Sequence, residues 1–182
     1  YKPHSHPTFS IGAVDQGSSV FIGAGQAHTR LLPGTLVFVP AHCLHACNPE
    51  PDAFWSYQML HLDAAWLAAL RLESGTPVAD GKPARISRDA STYQRFCQLN
   101  VLLFSAVTPA EKEAALIEFL GDYDASAHPT LAGSVVPQLP QGTMKTLLHC
   151  LEDEANSHLD LGELAALAGM GRYQLIRAFR AA

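Results

Sequence analysis

Glycine and proline cut the first third of the chain into apolar runs too short to be helices. Thr8 to Gln16, Ser19 to Ile22, Ala27 to Leu32 and Thr35 to Val39 are separated by Gly17, Gly23, Gly25, Pro33 and Gly34, and Pro40 closes the last. Runs of four to nine residues bounded by turn formers read as strands, and many of them at close spacing imply a sandwich or small barrel. After Pro49 and Pro51, the run AFWSYQMLHLD alternates Trp55, Tyr57, Met59 and His61 against Phe54, Ser56, Gln58, Leu60 and Leu62. Period two predicts two distinct faces, so those four side chains share one of them. A barrel of such strands closes its own edges and leaves room inside for a ligand.

Histidine is concentrated around one strand. PGTLVFVPAHCLHACN, Pro33 to Asn48, places two histidines and two cysteines within eight residues of Pro40, and His4 and His6 precede the first strand. Two residues apart on an extended segment, His4 and His6 project to one side, and His45 could approach from a neighbouring element. Neutral imidazoles ligate first-row transition metals, so His4, His6 and His45 are candidate ligands for one divalent ion such as zinc, iron or nickel. The alternative is that these histidines line an organic-ligand pocket or satisfy local hydrogen bonds. Cys43 and Cys47 lack the second pair of a zinc knuckle and read as small buried groups. Arg30 is a candidate for a ligand carboxylate or hydroxyl, or a solvent-facing arginine. Trp55, Tyr57 and His61 are candidate pocket residues, or a core or interface stripe.

Gly34, Pro40, His45 and Asn48 resemble the second half of the cupin signature, and His4-Ser5-His6 with Gly17 resembles the first half. The resemblance implies a double-stranded β-helix and, in many cupins, a metal held by histidines and a glutamate. Phe9, Ser10 and Ile11 offer no carboxylate where that glutamate would stand, and His42 replaces a usual glycine. A cupin-type metalloenzyme using His4, His6 and His45 is therefore the alternative function, without an obvious general base.

Helical periodicity begins after Asp63, a plausible N-cap, with Ala64 to Leu72. It continues in Ala90 to Ala106 and in a helix opening at Pro109, with a short extended piece around Ala84 to Ser87 between. Tyr123 to Thr143 loses all apolar period and reads as a linker. Met144 to Asn156 is helical again. Leu159 to Leu167, a break at Gly169 to Gly171 and a helix from Arg172 form two short helices around a glycine turn, with Leu164, Leu167, Met170, Leu175 and Phe179 as a small shared core.

Leu161-Gly162-Glu163-Leu164-Ala165, Ala168-Gly169 and Arg172 to Phe179 resemble the first helix-turn-helix of the AraC/XylS transcription regulators. What that resemblance implies is a mainly β chain with helices: a cupin-like effector-binding and dimerisation domain over 1–125, a linker over 126–143, and over 144–182 the first half of an all-α DNA-binding domain. It gives Arg172, Tyr173, Gln174 and Arg177 as the DNA-binding residues, with Arg172, Gln174 and Arg177 as groove or phosphate contacts and Tyr173 supporting the helix or the backbone. Gly171 takes the place of the serine usual at the N-cap. The partners implied are a small-molecule effector, a second copy in a homodimer, and operator DNA in the intact protein, with weak or no DNA binding by these 182 residues alone. No catalysis is implied.

Bulk properties agree with this reading. A net charge of -5, with 12 Lys and Arg, excludes a chain that holds nucleic acid through a broad basic surface. Four dispersed cysteines suit a reducing, cytoplasmic setting, and no apolar run reaches membrane-spanning length. The chain begins without methionine and stops inside a helical pattern at Arg180-Ala181-Ala182, so further residues are expected at one or both ends.

Overall fold

A computed structural model of the chain describes residues 2–23, 28–76, 83–127, 137–152 and 159–182. They form seven strands and six helices: β1 (Phe9–Gly17), β2 (Ser19–Ile22), β3 (Thr29–Leu31), β4 (Leu36–Val39), β5 (Ala46–Pro49), β6 (Trp55–Leu62), α1 (Ala64–Glu73), β7 (Arg85–Ser87), α2 (Ala90–Leu103), α3 (Pro109–Ala127), α4 (Gln141–Glu152), α5 (Leu161–Ala168) and α6 (Arg172–Ala181). Two compact units result, Tyr1–Ala68 with Val78–Gln98, and Ala69–Pro77 with Leu99–Ala182.

The first unit is built on two antiparallel sheets, ordered β6-β1-β4-β7 and β3-β2-β5. The strand spacing implies a sandwich or small barrel, and this is the cupin-like barrel architecture that the resemblance implies. Between the sheets lies a core of Val14, Phe21, Leu31, Val37, Val39 and Ala84. Phe9, Ile11, Leu36 and Phe38 are buried as well, so β1 and β4 are covered on both faces. Pairing of β1 with β6 shifts register between Val14 and Gln16. The extra residue, Asp15, accepts hydrogen bonds from Gln58 Nε2 at 2.8 Å and from the Tyr93 hydroxyl at 2.9 Å, tying the bulge to β6 and α2. Burial and the Asp15 carboxylate both push the Tyr93 phenol up. Asp63 caps α1 as expected, accepting from the Trp66 amide at 2.8 Å.

In the second unit α4, α5 and α6 enclose Leu147, Leu164, Ala165 and Leu175, with Met170 and Phe179 packed against them. Leu167, expected in this core, is 55% exposed. It lies one turn on from Leu164, just outside the buried strip, and seven apolar or small residues in eight leave the edge of that strip ambiguous in the sequence. Asp160 and Glu163 form a capping box, with reciprocal bonds of 2.8 and 2.9 Å, and Gly169 ends the helix in the left-handed conformation. Asp160→Ala should therefore destabilise this unit by about 1 kcal/mol, read as a lowered urea midpoint at unchanged slope.

Helix α3 runs two residues past 125, and α4 begins three residues before 144, so the periodicity-free stretch holds helix at both ends. The middle of the expected linker, 128–136, lies outside the described residues. So do 153–158, the end of the expected helix Met144 to Asn156, and Ala27, the expected start of β3.

Candidate functional site

Backbone pairing brings the histidines together. His4 and His45 form an isolated antiparallel bridge, each donating its amide to the other's carbonyl at 2.9 Å. One step further, the His42 amide donates to the His6 carbonyl at 2.7 Å. The left-handed backbone of His42, at φ 60°, makes this turn; the residue stands where the cupin pattern has glycine, and the structure shows the conformation that glycine would supply. Gly23, just after β2, supports the site. Its φ is 135°, and an added Cβ would lie 2.9 Å from the Cβ of His45. Gly23→Ala is expected to destabilise the first unit by about 1–3 kcal/mol and to shift the His45 ring, measured by thermal melting and by the histidine resonances in NMR.

The resulting cluster is compact. Ring centroids of His4 and His45 are 4.6 Å apart, those of His4 and His6 4.9 Å, and those of His6 and His45 5.4 Å. One nitrogen from each of the three falls within 4.8 Å of the others. Two of the rings have their tautomers set by the main chain: His4 Nδ1 is 2.8 Å from the Lys2 carbonyl and His45 Nδ1 2.9 Å from the Cys43 carbonyl. A carbonyl only accepts, so each Nδ1 carries the proton and each Nε2 the lone pair. That is the arrangement in which metal-ligating histidines are usually found. Desolvation, with the neighbouring His45, His4 and His61, holds His6 below the ordinary imidazole range. His6 therefore keeps its lone pair to lower pH than a solvated imidazole would.

His61 completes a polar end. Its ring is 5.6 Å from His6, and its Nδ1 is 2.8 Å from the Ser10 hydroxyl. His4, His6, Ser10, His45 and His61 together line one end of a cavity of about 310 Å³. Val14, Phe21, Leu31, Val37 and Val39 make its apolar wall, and Trp55, Tyr57 and Met59 continue the line of His61 along β6. Trp55 and Tyr57 stack at 4.3 Å with 22° between their planes. The expected pocket residues Trp55, Tyr57 and His61 are thus brought to one cavity with the three expected metal ligands.

Arg30 is not. It is exposed on β3, where its neighbour Leu31 turns inward, and it donates to Glu50 at 2.9 Å. Alternation on a three-residue strand puts Arg30 on the outer face. Ser10, Met59, Cys47 and Gly12 also line the cavity and were not foreseen as site residues. Cys47 shares a 3.0 Å contact with the Ser19 hydroxyl, and burial pushes its thiol up, which fits an inert packing role.

The four residues of α6 expected to meet DNA all make contacts within the second unit. Arg172, whose side chain is 13% exposed, donates to Glu73 at 2.8 and 3.0 Å and to Glu113 at 3.1 Å. The Glu73 hydrogen bonds raise its guanidinium further above the arginine range. Tyr173 donates to Asp122 at 2.7 Å, Gln174 Oε1 accepts from the Gly171 amide at 3.3 Å, and Arg177 lies 5.8 Å above the Tyr173 ring. Gly171 is the N-cap, in extended conformation and without a side-chain cap bond.

The solved structures similar to this chain include an apo ToxT variant from Vibrio cholerae, with TM-score 0.54 at 9% identity, covering 100% of this chain and 69% of that one. The AraC-like transcriptional activator CuxR is also similar, with TM-score 0.43 at 11% identity, covering 96% of this chain and 61% of that one. No curated relative matches the sequence. The family model described as the AraC-like ligand binding domain matches residues 1–120. These residues take in all seven strands, the cavity and the histidine cluster, and the chain belongs to the AraC-like ligand-binding domain family.

Proposed function

We propose that this chain is the sensing part of a ligand-responsive bacterial transcription regulator, in which the barrel cavity binds a small-molecule effector and α5 and α6 contact operator DNA in the intact protein. The observation that carries this reading is a lined cavity between the sheets of an AraC-like ligand-binding domain, continued in the same chain by two helices around a left-handed glycine turn. Within α6, Arg172, Gln174 and Arg177 have side chains able to pair with guanine, adenine or phosphate once released from their present partners. The protein acts in the cytoplasm as a homodimer. Among the described residues no helix is long and apolar enough to cross a membrane.

The donor set supports one divalent transition metal, zinc, iron or nickel, on His4, His6 and His45. Three imidazoles with one ring nitrogen each within 4.8 Å of the others suit such an ion, and the Lys2 and Cys43 carbonyls hold two of the rings in a defined tautomer. The group would supply a fixed positive charge at the polar end of the cavity. The residues themselves orient and desolvate that end.

Selection of bound sequences from a randomised DNA pool by the intact protein tests the regulator reading. A discrete motif should emerge, and Arg177→Ala should weaken binding to it. The 182-residue chain alone should bind DNA no tighter than the ~10⁻⁴ to 10⁻⁶ M of non-specific association. An intact protein that enriches no motif, with or without metabolite extracts, would count against the reading.

A further inference from the structure

The cavity is polar at one end only. Along β6 the positions lining the open side of the cavity pass from a half-buried Trp55 and an exposed Tyr57, stacked on each other, through an exposed Met59 to His61, which approaches the histidine cluster. At about 3.3 Å per residue that line is roughly 20 Å long. Its far end presents ring faces and a thioether, which attract flat apolar groups. The near end presents imidazoles and the Ser10 hydroxyl. Among the described lining residues there is no Lys, Arg, Asp or Glu. The arginine nearest in expectation, Arg30, faces outward and is neutralised by Glu50.

An anionic head group entering this cavity would therefore meet no cationic side chain. Three neutral imidazoles, with no carboxylate beside them, would in turn leave a divalent ion with its charge uncompensated and coordination positions directed at the cavity. Each deficiency is met by the other. Resting on the metal reading of His4, His6 and His45, we propose that the effector is a small ring-bearing molecule with an oxygen-donor, metal-chelating head group. The head group is held at the three histidines through the metal, and the ring lies along Met59 toward Tyr57 and Trp55. Metal and effector then bind cooperatively, and by linkage each raises the affinity of the other by the same factor.

Calorimetry on the tag-free protein tests this with two probes of one shape, benzohydroxamate, which carries the chelating oxygens, and benzamide, which lacks the N-hydroxyl. One equivalent of Zn²⁺ should tighten benzohydroxamate binding by about ten-fold or more and leave benzamide unchanged. Met59→Trp, which fills the path of the ring and leaves His4, His6 and His45 in place, should retain zinc and lose the benzohydroxamate gain. Zinc binding with no gain for benzohydroxamate overturns the chelation proposal and leaves the metal reading intact. A full gain in Met59→Trp overturns the placement of the ring in the cavity. Absence of zinc binding, with far-ultraviolet dichroism showing a folded chain, overturns the proposal together with the metal reading. The regulator reading is left to the DNA selection.

Discussion

His45→Ala should weaken zinc binding by about 100-fold or more, at least the 10–100-fold that loss of a mere outer-shell partner costs. The reason is positional. His45 is the most buried of the three proposed ligands, at 8% exposure, its Nδ1 is committed to the Cys43 carbonyl, and its backbone forms the bridge that carries His4. Alanine keeps that backbone bridge, so the loss is confined to the ring. Equilibrium dialysis against zinc, with dichroism as a check on folding, measures it. His42→Gly is the matched control: it lies three residues away, accepts the same left-handed turn at φ 60° and preserves the amide that holds His6, so zinc affinity should be unchanged. Equal affinity in the two variants would remove His45 from the site.

The pairing behind this prediction was only partly legible in the sequence. Alternation along β6 identifies Trp55, Tyr57, Met59 and His61 as one face, because period two is a local property of an extended chain. Local alternation does not say which face is inward. On β1 both faces are covered, so Ser10, buried and bonded to His61, could be separated from Phe9 and Ile11 but not assigned to the cavity. On β3 the same ambiguity left Arg30 open, and the deciding partner, Glu50, comes from the residue just after β5. The convergence of His4 with His45 depends on a bridge between residues 41 positions apart, which no window of sequence contains. The helix pair α5 and α6 was legible for the opposite reason: its caps and its glycine turn are local to the two helices, although Leu147 of α4 completes their core. What could not be read there were the partners of α6, since Glu73, Glu113 and Asp122 lie 99, 59 and 51 positions from the residues they hold.

The same substitution, glycine to alanine, should have opposite signs at two helical positions of the second unit. At Gly121 in α3 an added Cβ would lie 2.3 Å from Cδ2 of Tyr173 and 2.6 Å from Cγ. Cγ is bound directly to the Tyr173 Cβ, so the contact cannot be relieved by swinging the far end of a flexible chain. The ring must move by more than an ångström, or α6 must move with it. Tyr173 is buried, its hydroxyl is bonded to Asp122 and Arg177 lies over its ring, so displacement also disturbs those contacts. Overpacking of this kind typically costs about 1–3 kcal/mol. Gly142, in the first turn of α4, has nothing within 4 Å of an added Cβ and no left-handed backbone. There alanine only restricts the unfolded chain and favours the helix, a gain of about 0.4–1 kcal/mol. Chemical denaturation of Gly121→Ala and Gly142→Ala should move the midpoint down and up respectively. If Gly121→Ala instead left stability unchanged while DNA selection by the intact protein became stronger, α6 would be only weakly held by α3, and the contacts of Arg172 and Tyr173 would be readily exchanged for phosphate and base edges.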